Sequence, residues 1–284
     1  MWKFRNGHSF EWGTRTYLMG VLNVTPDSFS DGGQFNTLET ALAQAHALAE
    51  AGADILDVGG QSTRPQAELI SLDEELDRIM PVLQGLYAGT SGYPPLSIPI
   101  SVDTNRAAVA QAAIAAGAEV VNDISGGTFD PEMLPTVAKL GVPIVLMHIR
   151  GTPKTMQQLA HYDDLMAELH RFLKQQVKQA IACGIDPDLI ALDPGIGFAK
   201  TYDHNLEILR KLPQLRTMGC PILIGTSRKR FIGHILNQPD PQQRVWGTAA
   251  TCCAAIAGGA DILRVHDVKE MRDVCRVADA IWRH

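Results

Sequence analysis

Short apolar runs recur along the chain at Tyr17–Val24, Ala53–Gly59, Ile98–Asp103, Glu119–Asp123, Pro143–His148, Leu189–Asp193, Pro221–Gly225 and Asp261–His266. Between them lie stretches whose apolar residues repeat at helical spacing, among them Thr37–Ala51, Leu72–Tyr87, Arg106–Ala116, Asp163–Cys183 and Arg244–Ala257. A strand that is apolar along its whole length is covered on both faces. Amphipathic helices between such strands therefore predict a parallel sheet sheathed by helices. Eight strand–helix units in 284 residues predict an α/β fold of one domain, a (β/α)8 TIM barrel, rather than an open doubly wound sheet.

Two local patterns refine this picture. Trp2 and Phe4 precede Asn6-Gly7, and Phe10 and Trp12 follow it. Alternating apolar residues around Asn-Gly predict an N-terminal β-hairpin, here one that plugs an end of the core. Glycines stand between helix and following strand at Gly52, Gly117, Gly141, Gly184 and Gly259. Each is expected to end its helix in the left-handed conformation, on the face where helices run into strands.

Composition narrows the partners. The formal charge of −6 argues against general nucleic-acid binding, so an anionic ligand must be met by a local cationic cluster. The five cysteines, Cys183, Cys220, Cys252, Cys253 and Cys275, include no CxxC pair and read as buried free thiols of a reducing compartment. No apolar run reaches membrane-spanning length, and the first residues lack the apolar stretch of a signal peptide. A cytoplasmic protein is expected, without membrane or nucleic-acid partners.

In a barrel of this kind chemistry collects where strands end and helices begin. Asp103, Asn122 and Asp193 lie at the ends of strands three, four and six. Buried carboxylates and amides need partners, and a planar heterocycle with an amino group between ring nitrogens would supply donors. On the opposite side of the mouth a cationic set is expected: Arg64, Lys229, Arg264 and His266, suited to a phosphate or carboxylate. Arg264 stands out because Leu263 and Val265 flank it in an apolar strand. Arg228 and Arg230 read as surface arginines paired with acids. The sparse His148, His266 and Asp267 do not space a zinc site, whereas magnesium could be held by substrate phosphates and a single protein oxygen. Gly195-Ile196-Gly197 lacks the third glycine of a dinucleotide fingerprint.

Taken in order, the segments MGVLNVTPDSFSDGG from Met19, DVGGQSTRP from Asp57, SVDT from Ser101, NDISG from Asn122, MHIRGTP from Met147, DPGIGF from Asp193, SRK from Ser227 and RVHDV from Arg264 resemble the dihydropteroate synthase family. The resemblance runs from Met19 to Val268. It implies condensation of 6-hydroxymethyl-7,8-dihydropterin diphosphate with 4-aminobenzoate to dihydropteroate and diphosphate, with Mg2+ as cofactor. It also implies roles. Asp103, Asn122, Asp193 and Lys229 would hold the pterin, with Met147 on its face. Asn23, Arg64, Arg264 and His266 would hold the diphosphate, Asn23 beside the metal. Thr63, Arg64, Pro65, Phe29 and Phe198 would shape the aminobenzoate pocket, with Ser227 and Lys229 near. Lys229, Arg64, Arg264 and His266 would carry the catalysis. The family is usually dimeric, and the small-residue helix Gly247–Gly258 could pack against a second copy. The loops Thr25–Gly33 and Gln61–Ala67 are expected to be ordered by the diphosphate before aminobenzoate binds. Two positions depart from the family pattern: Gln61, where many members carry Glu, and Arg230, where many bacterial members carry Ser.

A corrinoid-linked methyltransferase would share the Asp–Asn–Asp side of the mouth but has no need of the Thr63-Arg64-Pro65, Ser227-Arg228-Lys229 and Arg264/His266 sets together. A non-catalytic pterin-binding barrel would be expected to lack one of Asn23, Arg64 or Arg264; all three are present.

Overall fold

The computed structural model describes residues 1–25, 34–63 and 68–283, with residues 34–37 as backbone only. Eight parallel strands form one sheet: β3 (Tyr17–Asn23), β4 (Ile55–Gly59), β5 (Ile100–Asp103), β6 (Val120–Asp123), β7 (Ile144–Met147), β8 (Ile190–Asp193), β9 (Leu223–Ile224) and β10 (Ile262–Val265). The sheet runs in order from β8 back to β3 and then through β10 to β9. A parallel bridge from Leu192 to Ile222, with the Leu192 N–H donated to the Pro221 carbonyl at 2.9 Å, joins its two edges into a barrel. Closure removes the unpaired edges that an open sheet would expose. The seventh apolar run is a strand over only Leu223–Ile224.

The predicted helices are α1 (Gln34–Ala51), α2 (Leu72–Ala88), α3 (Ala107–Ala115), α5 (Leu165–Ala182) and α8 (Val245–Ala257), each within a turn of its expected bounds. Four more, not singled out in the sequence, complete the ring: α4 (Met133–Leu140), α6 (Tyr202–Lys211), α7 (Arg230–Leu236) and α9 (Val268–Trp282). All five inter-element glycines adopt positive φ, from 65° at Gly141 to 109° at Gly117. At Gly117 a Cβ would lie 2.3 Å from the Tyr87 ring, so space as well as backbone demands glycine there.

The hairpin pairs β1 (Trp2–Lys3) with β2 (Ser9–Phe10), Trp2 opposite Phe10, and Gly7 turns at φ 83°. Trp2, Phe4 and Phe10 are buried with Tyr17, Met19, Ile55, Val120, Val145, Ala191, Leu223 and Ile262, the inward side chains of the lower barrel. The hairpin is thus the expected plug. Burying one such side chain contributes about 1.5–3 kcal/mol. The five cysteines are unpaired, but Cys183 is exposed, so the reading of uniformly buried thiols holds only in part.

Side chains alternate along a strand, so two residues beyond each plug position another side chain points inward. Those next positions are Asp57 after Ile55, Asn122 after Val120, Met147 after Val145, Asp193 after Ala191 and Arg264 after Ile262. At four of the strands the barrel interior changes from apolar to polar within one step of the pleat, whereas Val21 after Met19 and Met147 after Val145 stay apolar.

Candidate active site at the barrel mouth

Arg264 crosses from β10 to the acidic side of the mouth. Its Nε donates to Asp57 Oδ2 at 2.6 Å and its Nη2 to Asp103 Oδ2 at 2.8 Å. Asp57 Oδ2 also accepts from Asn122 Nδ2 at 3.0 Å, so one carboxyl oxygen ties β4, β6 and β10 together. Asp57 Oδ1 and Ser101 Oγ are buried without a partner among the described residues. Burial drives the Asp103 carboxyl up to about 7, against the attraction of Arg264 and helped by repulsion from Asp57.

Asp193 belongs to a tight turn at the end of β8. Its Oδ1 accepts the Gly195 N–H at 2.7 Å, and burial raises its carboxyl to about 6, opposed by that hydrogen bond and by Lys229. Gly195 sits at φ 74°, where a Cβ would fall 2.0 Å from the His148 carbonyl oxygen; no other residue fits. The turn carries Phe198, whose ring lies 4.3 Å beneath Lys229 Nζ in a cation–π contact. Burial lowers Lys229 to about 8, against the pull of Asp193.

Ser227 Oγ accepts the His266 N–H at 3.1 Å and lies 3.0 Å from its Nδ1. Burial, then Arg264 and Arg228, lowers His266 to about 3. It is therefore neutral at physiological pH. Arg228, at φ 59°, is fixed in a two-pronged pair with Asp267 at 3.1 and 2.5 Å, the structural role expected of it. Arg230 is exposed at the start of α7.

The structure therefore brings Asp103, Asn122, Asp193, Met147, Phe198, Ser227, Lys229, Arg264 and His266 to one mouth. Two expectations need correction. The cationic and acidic sets are not opposed, because Arg264 is already neutralised by Asp57 and Asp103. His266 adds no charge, because a buried imidazole beside two arginines sheds its proton. Asn23 ends β3 half-buried opposite Gly59, and Thr63 is half-buried at the last described position before residues 64–67. Phe29, Arg64 and Pro65 lie outside the described residues, as do most of the two loops whose ordering was expected. Gln61, the departure from the family pattern, spans the base of its loop: Nε2 donates to the Glu68 carbonyl and Oε1 accepts the Ile70 N–H, both at 2.9 Å. A Glu could accept but not donate there.

Asp57, Lys200 and His148 were not assigned from sequence. Asp57 carried the same signal as Arg264, a charge inside an apolar strand. Lys200, buried after the Asp193 turn, donates to the Phe198 carbonyl at 2.8 Å and lies 3.0 Å from His148 Nδ1. Burial lowers it to about 7 and lowers His148 to about 2. The mouth is a buried, acceptor-rich floor with a cation over its rim. Such a site suits a flat, donor-rich ligand bearing an anionic group.

A family model described as pterin binding enzyme matches residues 19–266. A dihydropteroate synthase of Synechocystis is 59% identical over 274 residues, covering 96% of this chain and 93% of that protein. A dihydropteroate synthase structure from Clostridium difficile, in the presence of pteroic acid, superposes with a TM-score of 0.90 at 43% identity, covering 97% of this chain and 100% of its own. Another, from Xanthomonas albilineans with 4-aminobenzoic acid, gives a TM-score of 0.87 at 45% identity, with 94% and 93% covered.

Proposed function

This chain belongs to the pterin binding enzymes, and from that premise we propose how its barrel mouth makes dihydropteroate. It is a transferase of folate biosynthesis. It condenses 6-hydroxymethyl-7,8-dihydropterin diphosphate with 4-aminobenzoate, giving 7,8-dihydropteroate and diphosphate. One observation carries the residue assignments below: a single step of the strand pleat leads from the plugged apolar barrel to Asp57, Asn122, Asp193 and Arg264, with Asp103 joined to them through the Arg264 guanidinium.

The carboxylates of Asp103 and Asp193 and the amide of Asn122 accept from the amino and ring N–H groups of the pterin, with Met147 against its face. Their raised pKa values mark acceptors short of donors, which the ligand supplies. The C–O bond to the diphosphate breaks, leaving a cation on the pterin methylene. The neutral amine of aminobenzoate gives its lone pair to form the C–N bond, then loses a proton. No covalent nucleophile is required. The residues' task is to stabilise the departing charge.

Lys229 and Arg64 meet that charge, and neutral His266 donates a hydrogen bond to it. Arg264 acts one place back, holding Asp103 for the pterin, because its own charge is balanced. Thr63, Phe29, Pro65, Phe198 and Ser227 form the aminobenzoate side. Asn23 offers one neutral oxygen of the kind magnesium accepts beside substrate phosphates, and among the described residues no cluster of three His, Cys, Asp or Glu could hold an ion alone. When bound there, magnesium would neutralise part of the diphosphate charge.

Among the described residues no helix is long and apolar enough to cross a membrane; a cytoplasmic site of action belongs to this reading. A homodimer through α8 is part of this reading. Trp246 (75% exposed), Ala250, Ala254 and Ala257 form an exposed stripe at helical spacing that a second copy could cover. Trp246→Glu should convert dimer to monomer in sedimentation; a monomeric parent protein would remove the proposal. The function itself is tested by incubating the protein with the pterin diphosphate, aminobenzoate and magnesium. Dihydropteroate should form only when both substrates are present, and its absence would overturn the assignment.

A further inference from the structure

We infer that Lys200 is a positioning residue for both substrate subsites, clamping the backbone that carries Phe198 to the strand end that carries Met147. The inference rests on the residue assignments just proposed. The segment from Asp193 to Lys200 reverses through three residues of positive φ: Gly195 (74°), Gly197 (82°) and Ala199 (50°). Ala199 is fully buried and is not a glycine, so the turn holds a conformation it would not choose alone.

Side-chain contacts hold that turn. The Asp193 carboxylate takes the Gly195 N–H, and Asn205 Oδ1 takes the Gly197 N–H at 2.7 Å. Tyr162 donates its hydroxyl to the Ala199 carbonyl at 3.0 Å. Lys200 Nζ donates to the Phe198 carbonyl and reaches His148 Nδ1, which directly follows Met147. Beside the backbone bond from the His148 N–H to the Asp193 carbonyl at 3.0 Å, the last of these contacts links the turn to the end of the neighbouring strand β7 through a side chain that could carry charge.

A lysine is an expensive way to satisfy one carbonyl, since burial opposes its charged form. Its surroundings suggest what the charge is for. Among the described residues, the titratable and charged groups facing it are His148 and Arg150 after β7, Asp193 at the end of β8, His204 in the first turn of α6 and Lys229 before α7. Of these Asp193 is the one acid, and Lys200 is among the groups that hold its carboxyl down. The amine therefore does two things. Its hydrogen bond places the Phe198 ring beneath Lys229, on the aminobenzoate side. Its charge favours ionised Asp193, on the pterin side.

The two effects have separate readouts. Lys200→Met should raise the KM for aminobenzoate at least tenfold while kcat falls less. The pH at which a diphosphate-free pterin loses affinity on acidification should rise by about half a unit or more, as Asp193 loses a cationic neighbour. Lys200→Gln, which keeps a donor and drops the charge, should retain the pH displacement and recover part of the KM. If Lys200→Met does not fold, Lys200→Gln is judged by the pH displacement alone. An unmoved pH midpoint, with or without a lower Tm, overturns the inference and leaves Lys200 a scaffold residue. Parent turnover and Phe198→Ala are measured alongside. No dihydropteroate from the parent would sink the function; an unchanged aminobenzoate KM in Phe198→Ala would sink that subsite and leave the pH displacement to judge Lys200.

Discussion

Arg264 and Asp57 stand 207 residues apart in the chain and 2.6 Å apart in the barrel, guanidinium Nε against carboxyl Oδ2. The same oxygen receives Asn122, and the other end of the guanidinium holds Asp103. A charge that sequence assigns to an anionic ligand is thereby committed to the floor of the site, and its removal should be felt there first.

Arg264→Met should leave Asp57 and Asp103 without their cation. Removing one partner of a buried pair costs about 3–5 kcal/mol. The Arg264 side chain is 22% exposed, which favours the lower end of that range. Thermal midpoints should fall by several degrees, and affinity for a diphosphate-free pterin should fall with them. Adding Asp57→Asn should recover part of the stability, as a double-mutant cycle would record. Normal binding of the diphosphate-free pterin to Arg264→Met would contradict the clamp.

Asp193→Asn should lower pterin affinity at least tenfold, since a mismatched buried polar group costs about 1–3 kcal/mol. Stability should move the other way. The folded carboxyl titrates near 6, above its ordinary range, so its ionised form is disfavoured in the fold at pH 7.5. The variant should be as stable as the parent or more so at that pH, with any advantage fading as pH falls through 6 towards 4. Calorimetry and melting curves across that range check both halves.

The contrast between these residues explains what sequence could reveal. Arg264 and Asp193 were legible because each breaks an apolar run at a strand's end. The hairpin and the inter-element glycines were legible because turn chemistry is local. The direction of the Arg264 guanidinium was not, since it depends on which strands become neighbours when the barrel closes. The neutrality of His266 depends on burial beside Arg264 and Arg228, which converge from different strand ends. Lys200 follows a turn whose positive φ angles send it inward, and no spacing rule reports that. Helix α9 was available in the pattern: Val268, Met271, Cys275 and Ala278 are its buried face.

Trp2→Ala tests whether plug and mouth are independent. Trp2 is fully buried and its indole N–H donates to the Asp188 carbonyl at 3.1 Å. Truncating a buried aromatic to alanine costs about 3–5 kcal/mol. Stability should fall by that order while the KM values at a permissive temperature stay within about twofold of the parent. A large KM change would mean that the lower barrel shapes the mouth.

The pH profile of kcat/KM tests the central claim that a buried array of charges makes the product. Activity should fall on the acidic side as Asp193 and Asp103 take up protons, at about 6 and 7. It should fall on the basic side as Lys229 loses its proton at about 8. The account predicts a bell with its maximum between those limbs, an acidic limb altered by Asp193→Asn and a basic limb removed by Lys229→Met in whatever activity remains. A flat profile from pH 5 to 9, or limbs indifferent to both substitutions, would contradict it.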